Sequence, residues 1–443
     1  MIEKKDIVNA LFVAGFPLYG IGSYVSASMS PSIGYLLSVS PFLVILLFYV
    51  VDLLYRPSFS IKVNGWYLVM VVFLVSTAGS LFVALGRHLP ETNALLTVTR
   101  SILVFIPFQA FVAVQLYNDQ HSHLPRLTFI SLSLLLLINL IGHFIFGLTN
   151  ELHTIEGRLS FPFLDGFYSG SCLLAVLSVM LLYFFRQVRQ NPLVLAGWAG
   201  YLFLNMVLLF YINSRLTTLI FLLVMALLVT NSIGTFRSIF WVSLFTVPIL
   251  LSTGLLLYRI LSLPVFASIF QRVDLIDVTT FNGRAFLWKD ALDWLLYDQR
   301  GILFGNGFRG HYFLNLVSDV AELWNVKESH HLHLHSTSLE ILVSQGLFGY
   351  GIFMTLFFHL FSRYRKHFET KTKQAVFFPV AVFLLIIFQV DTFLYMESLG
   401  ALIFSWLLSF VVMRPPVEES QSNEANINAD KYVPDGVHHY SGF

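Results

Sequence analysis

The sequence predicts an all-α integral membrane protein with about twelve transmembrane helices and one large, partly helical external loop. Three observations lead there. Only 12% of the 443 residues are charged and 56% are hydrophobic, with a mean hydropathy of +0.75, whereas a water-soluble domain carries roughly a quarter charged residues. Apolar runs of about 20 residues recur along the chain, long enough for a hydrocarbon core ~30 Å thick and too long for barrel strands. Basic residues sort into alternate connections, as they do in membrane proteins of fixed orientation.

The expected spans run over 7–27, 33–54, 66–86, 95–116, 126–148, 167–185, 193–213, 216–233, 237–258, 337–362, 375–396 and 397–413. The seventh and eighth nearly touch, as do the last two, so each pair forms a tight hairpin. One set of connections carries Lys4, Lys5, Arg56, Lys62, Arg126, Arg186, Arg189, Arg237 and the run Arg363, Arg365, Lys366, Lys371, Lys373. The opposite short connections carry only Arg87, Arg158 and Arg215. Both termini are therefore expected in the cytoplasm, and the segment 259–336 outside. Met1-Ile2-Glu3-Lys4-Lys5-Asp6 leads into an apolar run without a small-residue cleavage site, which predicts a retained first helix. The chain divides into spans one to nine over 1–258, the loop 259–336, spans ten to twelve over 337–413, and a polar tail over 414–443 expected to be disordered.

A net charge of +1 argues against nucleic acid as a partner, since such binders concentrate basic patches. The lone Cys172 lies in an apolar span and excludes a disulfide framework. There is no internal repeat and no matching pair of Gly/Pro-broken helices of the kind found in inverted-repeat transporters. P-loop, dinucleotide, nucleophile-elbow and zincin motifs are absent from usable contexts.

The external loop is too long to be a structureless thread. Leu287, Trp288, Ala291, Leu292, Leu295 and Leu296 recur at helical spacing opposite Lys289, Asp290 and Asp293. This predicts an amphipathic helix over 283–300 with Asn282 as N-cap and Gly301 at its C-terminal stop. Arg284 then sits in the first turn, where a cation opposes the helix dipole, so an anionic ligand nearby explains it better than helix stability does. A glycine turn follows at Gly305-Asn306-Gly307-Phe308-Arg309-Gly310-His311, then a cluster of His330, His331, His333 and His335. Thr337-Ser338-Leu339-Glu340 fits a capping box and predicts that the tenth span starts at Thr337. His335 just ahead of that helix N-terminus is expected to be neutral and able to accept a proton. Gly346, Gly349 and Gly351 would let the same helix pack closely against a neighbour.

Arg215, Arg284, Arg309 and His335 fall on the same expected side, and several guanidinium forks around one cavity suit a diphosphate. The bland reading of Arg215 is an interfacial arginine snorkelling to headgroups. Arg100, inside the fourth span, faces the bundle interior or snorkels likewise. The alternating histidines invite a metal, because alternate residues of an extended segment share a face. No cysteine accompanies them and the nearest acids, Glu328 and Glu340, are off the pattern, so a single working histidine is preferred and no metal is assigned. Glu151, Glu156, Arg158 and Asp165 make a candidate second wall in the other external loop.

The chain resembles the O-antigen ligase and O-antigen polymerase family of bacterial inner-membrane glycosyltransferases. The likeness rests on Ser214-Arg215, on Gly283-Arg284 with Leu287-Trp288, on Gly305-Asn306-Gly307, and on His335-Ser336 with Leu339-Glu340, Gly346 and Gly349, together with the layout of about a dozen helices and one late periplasmic loop. Asp165 stands where that family would lead one to expect an asparagine. The resemblance implies a glycan donor linked to undecaprenyl diphosphate, used at the periplasmic face without metal, cofactor or nucleotide sugar. Arg215 and Arg284 would hold the diphosphate, with Arg309 and Arg100 as further candidates, and His335 would deprotonate the acceptor hydroxyl in an inverting attack. In a polymerase the acceptor is another lipid-linked repeat, with a chain-length regulator protein as a further partner; in a ligase it is lipid A core or, in relatives, a protein hydroxyl. The polymerase is the preferred expectation. A polytopic transporter is the alternative from another class, and it would place ionisable groups near the membrane midplane rather than at one face.

Overall fold

The computed structural model describes residues 3–55, 64–89, 94–118, 123–149, 158–164, 166–252, 284–323, 332–392 and 398–413. Among these the protein is helical, without a strand. The helices are α1 (Lys4–Ser28), α2 (Pro31–Tyr55), α3 (Gly65–Gly86), α4 (Ala94–Tyr117), α5 (Leu124–Leu140), α6 (Gly166–Val188), α7 (Pro192–Ile212), α8 (Arg215–Val229), α9 (Ser238–Ser243) and α10 (Val247–Leu251). After the loop segment come α11 (Arg284–Asp293), α12 (Gly310–Phe313), α13 (Ser318–Leu323), α14 (Thr337–Glu369), α15 (Phe377–Phe388) and α16 (Leu399–Val412).

Among the described residues eight helices are long and apolar enough to cross a membrane: α1 to α7 and α14. The other four expected spans coincide with shorter apolar helices over Leu216–Val229, Ser238–Leu251, Lys373–Phe388 and Leu399–Val412. The expected eleventh span continued to 396, but the helix stops at Phe388, where Gln389 and Asp391 turn toward the start of α14.

Position in the bundle explains the composition of the helices. Every residue of α16 is buried, with α3, α4, α6, α14 and α15 around it, and a helix apolar on all sides belongs inside. Lipid tails are as apolar as leucine, so such burial stabilises through close van der Waals packing rather than removal from water. The Trp406 ring accordingly packs against Phe12 at 4.6 Å and Phe111 at 5.2 Å between centroids, and its N–H donates to the Thr128 hydroxyl at 3.0 Å. In contrast α7 leaves Leu193, Phe203 and Phe210 largely exposed, which suits a helix facing lipid. The buried acid of α2, Asp52, is bound by Lys4 and the Tyr117 hydroxyl.

One break in α14 positions the site. Gly346 has φ 69° and ψ −171°, a conformation that is essentially glycine-only. The glycine turn supplies the backbone partners that the break removes: Leu347 and Phe348 N–H donate to the Ile302 and Leu303 carbonyls, while Asn306 and Gly307 N–H donate to the Val343 and Ser344 carbonyls. A broken helix is tolerated where protein satisfies the freed groups in this way. The turn is fixed in place by Phe308 N–H on the Ser80 carbonyl at 2.8 Å and by the Arg87 guanidinium on the Asn306 carbonyl at 3.0 Å. Gly346 thus packs on the turn and Gly349 near Ser76, whereas a Cβ at Gly351 would meet open space, so close packing does not extend to that third glycine.

The amphipathic helix is shorter than expected. It runs over Arg284–Asp293 and widens into a π-helical turn at Trp294–Asp298, ending on Gln299 with φ 55°. Leu287, Trp288 and Ala291 are buried as predicted, with Trp294 beside them; Leu292 and Leu295 are only half-buried and Leu296 is exposed, because the wider turn rotates this end off the packed face. The expected N-cap, Asn282, lies outside the described residues, as does the 414–443 tail.

Candidate functional site

The site is built where α14 begins. Helix α14 starts at Thr337 as expected, but its cap is Ser336, whose hydroxyl accepts from Leu339 N–H. Glu340 closes no capping box; one residue too far along, it turns to His311, with His311 Nδ1 2.8 Å from Glu340 Oε1. Thr337 donates both its N–H (3.1 Å) and its hydroxyl (2.8 Å) to the Asp391 carbonyl. That pair of bonds brings the turn after α15 against the residue preceding the cap.

The residue there is His335, at φ 47°, a left-handed conformation uncommon for a residue with a Cβ. Neighbours hold the short segment leading to it from several directions. The Leu332 carbonyl accepts from His311 Nε2–H at 2.7 Å, the Leu334 carbonyl from the Trp288 indole N–H at 2.9 Å, and Leu334 N–H donates to Glu340 Oε2 at 3.3 Å. The His333 and His335 rings lie 4.1 Å apart between centroids. His335 Nδ1 is 3.4 Å from Asp391 Oδ1, with the His335 side chain 17% exposed and that of Asp391 7%.

Arg284 completes the cluster. It is 9% exposed, donates to the Tyr168 hydroxyl at the start of α6, and lies over the Tyr168 ring at 5.5 Å. Its charge acts on His335 and on Asp391. Burial first, and then the Arg284 cation, bring the His335 imidazole down from 6.5 to about 3; burial and the neighbouring His335 do the same to His333. Both rings are therefore neutral at pH 7, and the 3.4 Å approach of His335 to Asp391 is a polar contact rather than an ion pair.

The arginines proposed from the sequence separate into two places. Arg215 is the first residue of α8, whose start is tied to α6 through the Thr217 hydroxyl, which accepts from the Ser214 hydroxyl and from that of Ser171, one turn beyond Tyr168. The start of α8 therefore packs on α6 within about a turn of Tyr168; the Arg215 side chain is outside the described part. Arg309 and Arg100 instead flank Phe308, each guanidinium 5.5 Å from the ring centre, beside a small core of Leu81, Ala84 and Leu89. Their common neighbour is an aromatic ring, because the glycine turn points His311 toward Glu340 and Phe308 toward α3 and α4. His330, His331, Glu151, Glu156 and Asp165 lie outside the described residues, while Arg158 acts on Tyr168.

Sequence spacing missed two participants. Asp391 was hidden inside an expected span, although an acid in an apolar segment is itself a signal for function. Glu340 is off the histidine pattern along the sequence, yet its carboxylate binds His311 and Leu334. Asp391 also changes the outlook for metal: donor atoms of His333, His335 and Asp391 lie within 4.8 Å of one another and could hold an ion, so the acid lacking along the sequence is supplied by the turn after α15. Neutral imidazoles and a carboxylate are suitable ligands, while the Arg284 cation beside them opposes a further positive charge.

Comparison with models of known protein families finds no match, and comparison with curated proteins finds none.

Proposed function

We propose that this protein is a glycosyltransferase that takes glycan from undecaprenyl diphosphate and transfers it to an acceptor sugar hydroxyl at the periplasmic face of a bacterial inner membrane, polymerising O-antigen or other surface-polysaccharide repeats. The observation that carries the reading is the buried Arg284 next to a neutral His335 that faces Asp391. A guanidinium is the natural partner of a diphosphate, and a neutral imidazole beside a carboxylate is the natural general base.

In this reading Arg284, with Arg215 and the Tyr168 hydroxyl, binds the diphosphate and stabilises the charge that gathers on it as it leaves. Asp391 opposite Nδ1 favours the His335 tautomer with its proton there, leaving the Nε2 lone pair to accept. The acceptor oxygen forms the new bond to the anomeric carbon, its proton passes to His335, and the bond from that carbon to the phosphate oxygen breaks with its electron pair on the diphosphate. Attack opposite the leaving group inverts the centre. An imidazole held near 3 is a weak base, but a bound diphosphate offsets the Arg284 charge and raises its basicity, so the base strengthens when the donor is in place. Arg309 and Arg100, at Phe308, are assigned to the path of the glycan or headgroup rather than to the leaving group.

The test is a gel of surface polysaccharide and lipid-linked glycan from a strain lacking the protein. Core bearing one repeat supports the polymerase. Bare core with long polymer on undecaprenyl diphosphate would reassign the same chemistry to a ligase, and an unchanged pattern would overturn the reading in favour of a transporter.

A further inference from the structure

The polar pair His311–Glu340 is among the most enclosed in the molecule, with His311 0% and Glu340 2% exposed. Burying two titratable groups is unfavourable unless they satisfy each other and something further. Here the further partners are all in one place. His311 Nε2–H binds the Leu332 carbonyl at 2.7 Å, and Glu340 Oε2 accepts from Leu334 N–H at 3.3 Å, while Nδ1 and Oε1 meet at 2.8 Å. The pair closes a ring of hydrogen bonds around the residue between its two contacts, His333, and ends one residue before His335. Trp288 adds its bond on the Leu334 carbonyl from the other side.

We infer that His311 and Glu340 are positioning residues, a buried clamp that holds the 332–334 backbone so that His335, in its left-handed conformation, presents its imidazole between Arg284 and Asp391. The inference rests on the glycosyl-transfer reading only for the catalytic consequence; the clamp itself is a statement about geometry. Because Nε2 of His311 is committed as a donor, one proton lies between Nδ1 and Glu340, and the clamp needs that proton but not a net charge. A glutamine at 340 preserves it: the amide N–H donates to Nδ1 of neutral His311 and the amide oxygen accepts from Leu334 N–H. A leucine at either position leaves buried partners unmatched and frees the segment.

The experiment compares Glu340→Gln, Glu340→Leu and His311→Leu in detergent-purified protein, with size-exclusion profile and Tm as folding controls. Glycan transfer and the rate at which diethyl pyrocarbonate modifies His335, read by peptide mass spectrometry, are measured on each. The clamp predicts that Glu340→Gln keeps kcat within about tenfold, the scale of one neutral hydrogen bond. The leucine variants should lose about 100-fold in kcat with little change in donor KM, as for a catalytic group displaced by an ångström, and should expose His335 to faster modification. Equal losses in Glu340→Gln and Glu340→Leu would overturn the inference by assigning Glu340's charge a direct part. Native activity and native His335 protection in Glu340→Leu would overturn it too. If the leucine variants fail to fold, His311→Gln, which can reach only one of the two partners, is read by the same protection assay. An active His335→Ala protein would refute the catalytic reading, whereas the modification rates judge the clamp independently.

Discussion

His335 Nδ1 and Asp391 Oδ1 face each other at 3.4 Å, joined through the backbone by Thr337, which binds the Asp391 carbonyl twice. The carboxylate is thus carried to the histidine by the helix start itself. Its role should be to orient the imidazole and stabilise the imidazolium formed in the reaction. Asp391→Asn preserves shape and removes charge, and should lower kcat by about 100-fold or more with donor KM nearly unchanged. Steady-state transfer from a lipid-linked donor measures both, and a native kcat would remove Asp391 from the mechanism.

Arg284 is expected to act on binding and on the leaving group together. Arg284→Ala should lose about 1.5–3 kcal/mol of transition-state stabilisation, the scale of a hydrogen bond to a charged group. Arg284→Lys should recover little, because an ammonium cannot supply the fork. Donor titration with the two variants decides this, and full recovery in the lysine variant would mean that only point charge matters.

Stability should fall on acidification. His333 and His335 sit near 3 in the folded protein against 6.5 ordinarily, so between those values the unfolded chain binds protons that the folded chain refuses. Stability is full above pH 6.5 and declines as pH drops toward 3, by at most about 1.4 kcal/mol per histidine per pH unit. Thermal unfolding at pH 7.5, 6.0 and 5.0 should show a falling Tm, and the decline should weaken in His333→Phe. A Tm that is level or rises on acidification would contradict the burial of neutral rings.

Zinc should inhibit. The donor atoms of His333, His335 and Asp391 are close enough to share an ion, and under the proposed mechanism an ion there would displace the Nδ1 proton and weaken the imidazole assigned to accept the proton. Added zinc is expected to suppress transfer reversibly, with EDTA restoring the original rate. A rate lost on EDTA treatment and regained with zinc would instead make the ion part of the enzyme.

Gly346→Ala tests the break in α14. Its Cβ would lie 2.5 Å from the Gly305 nitrogen and the Leu303 carbonyl carbon, at a φ and ψ that only glycine adopts readily. The expected cost is about 2 kcal/mol or more, seen as a lower Tm or poor recovery of folded protein. An unchanged Tm would show that the helix can close without the glycine turn.

Local pattern along the chain accounts for the set of elements. Apolar runs of membrane length, the Thr337 start of α14, the buried face of Leu287, Trp288 and Ala291, and the candidacy of Arg284 and His335 all follow from local pattern, because helix formation and capping depend on residues within a few positions. Tertiary packing decided which of them meet. It put the short helices α15 and α16 inside the bundle, drew Asp391 to His335, turned Glu340 from a cap into His311's partner, and sent Arg100 to Phe308. Those relations join residues tens to hundreds of positions apart, set by which helix faces pack and by where the glycine turn crosses the broken α14. No local spacing in the chain encodes that distance.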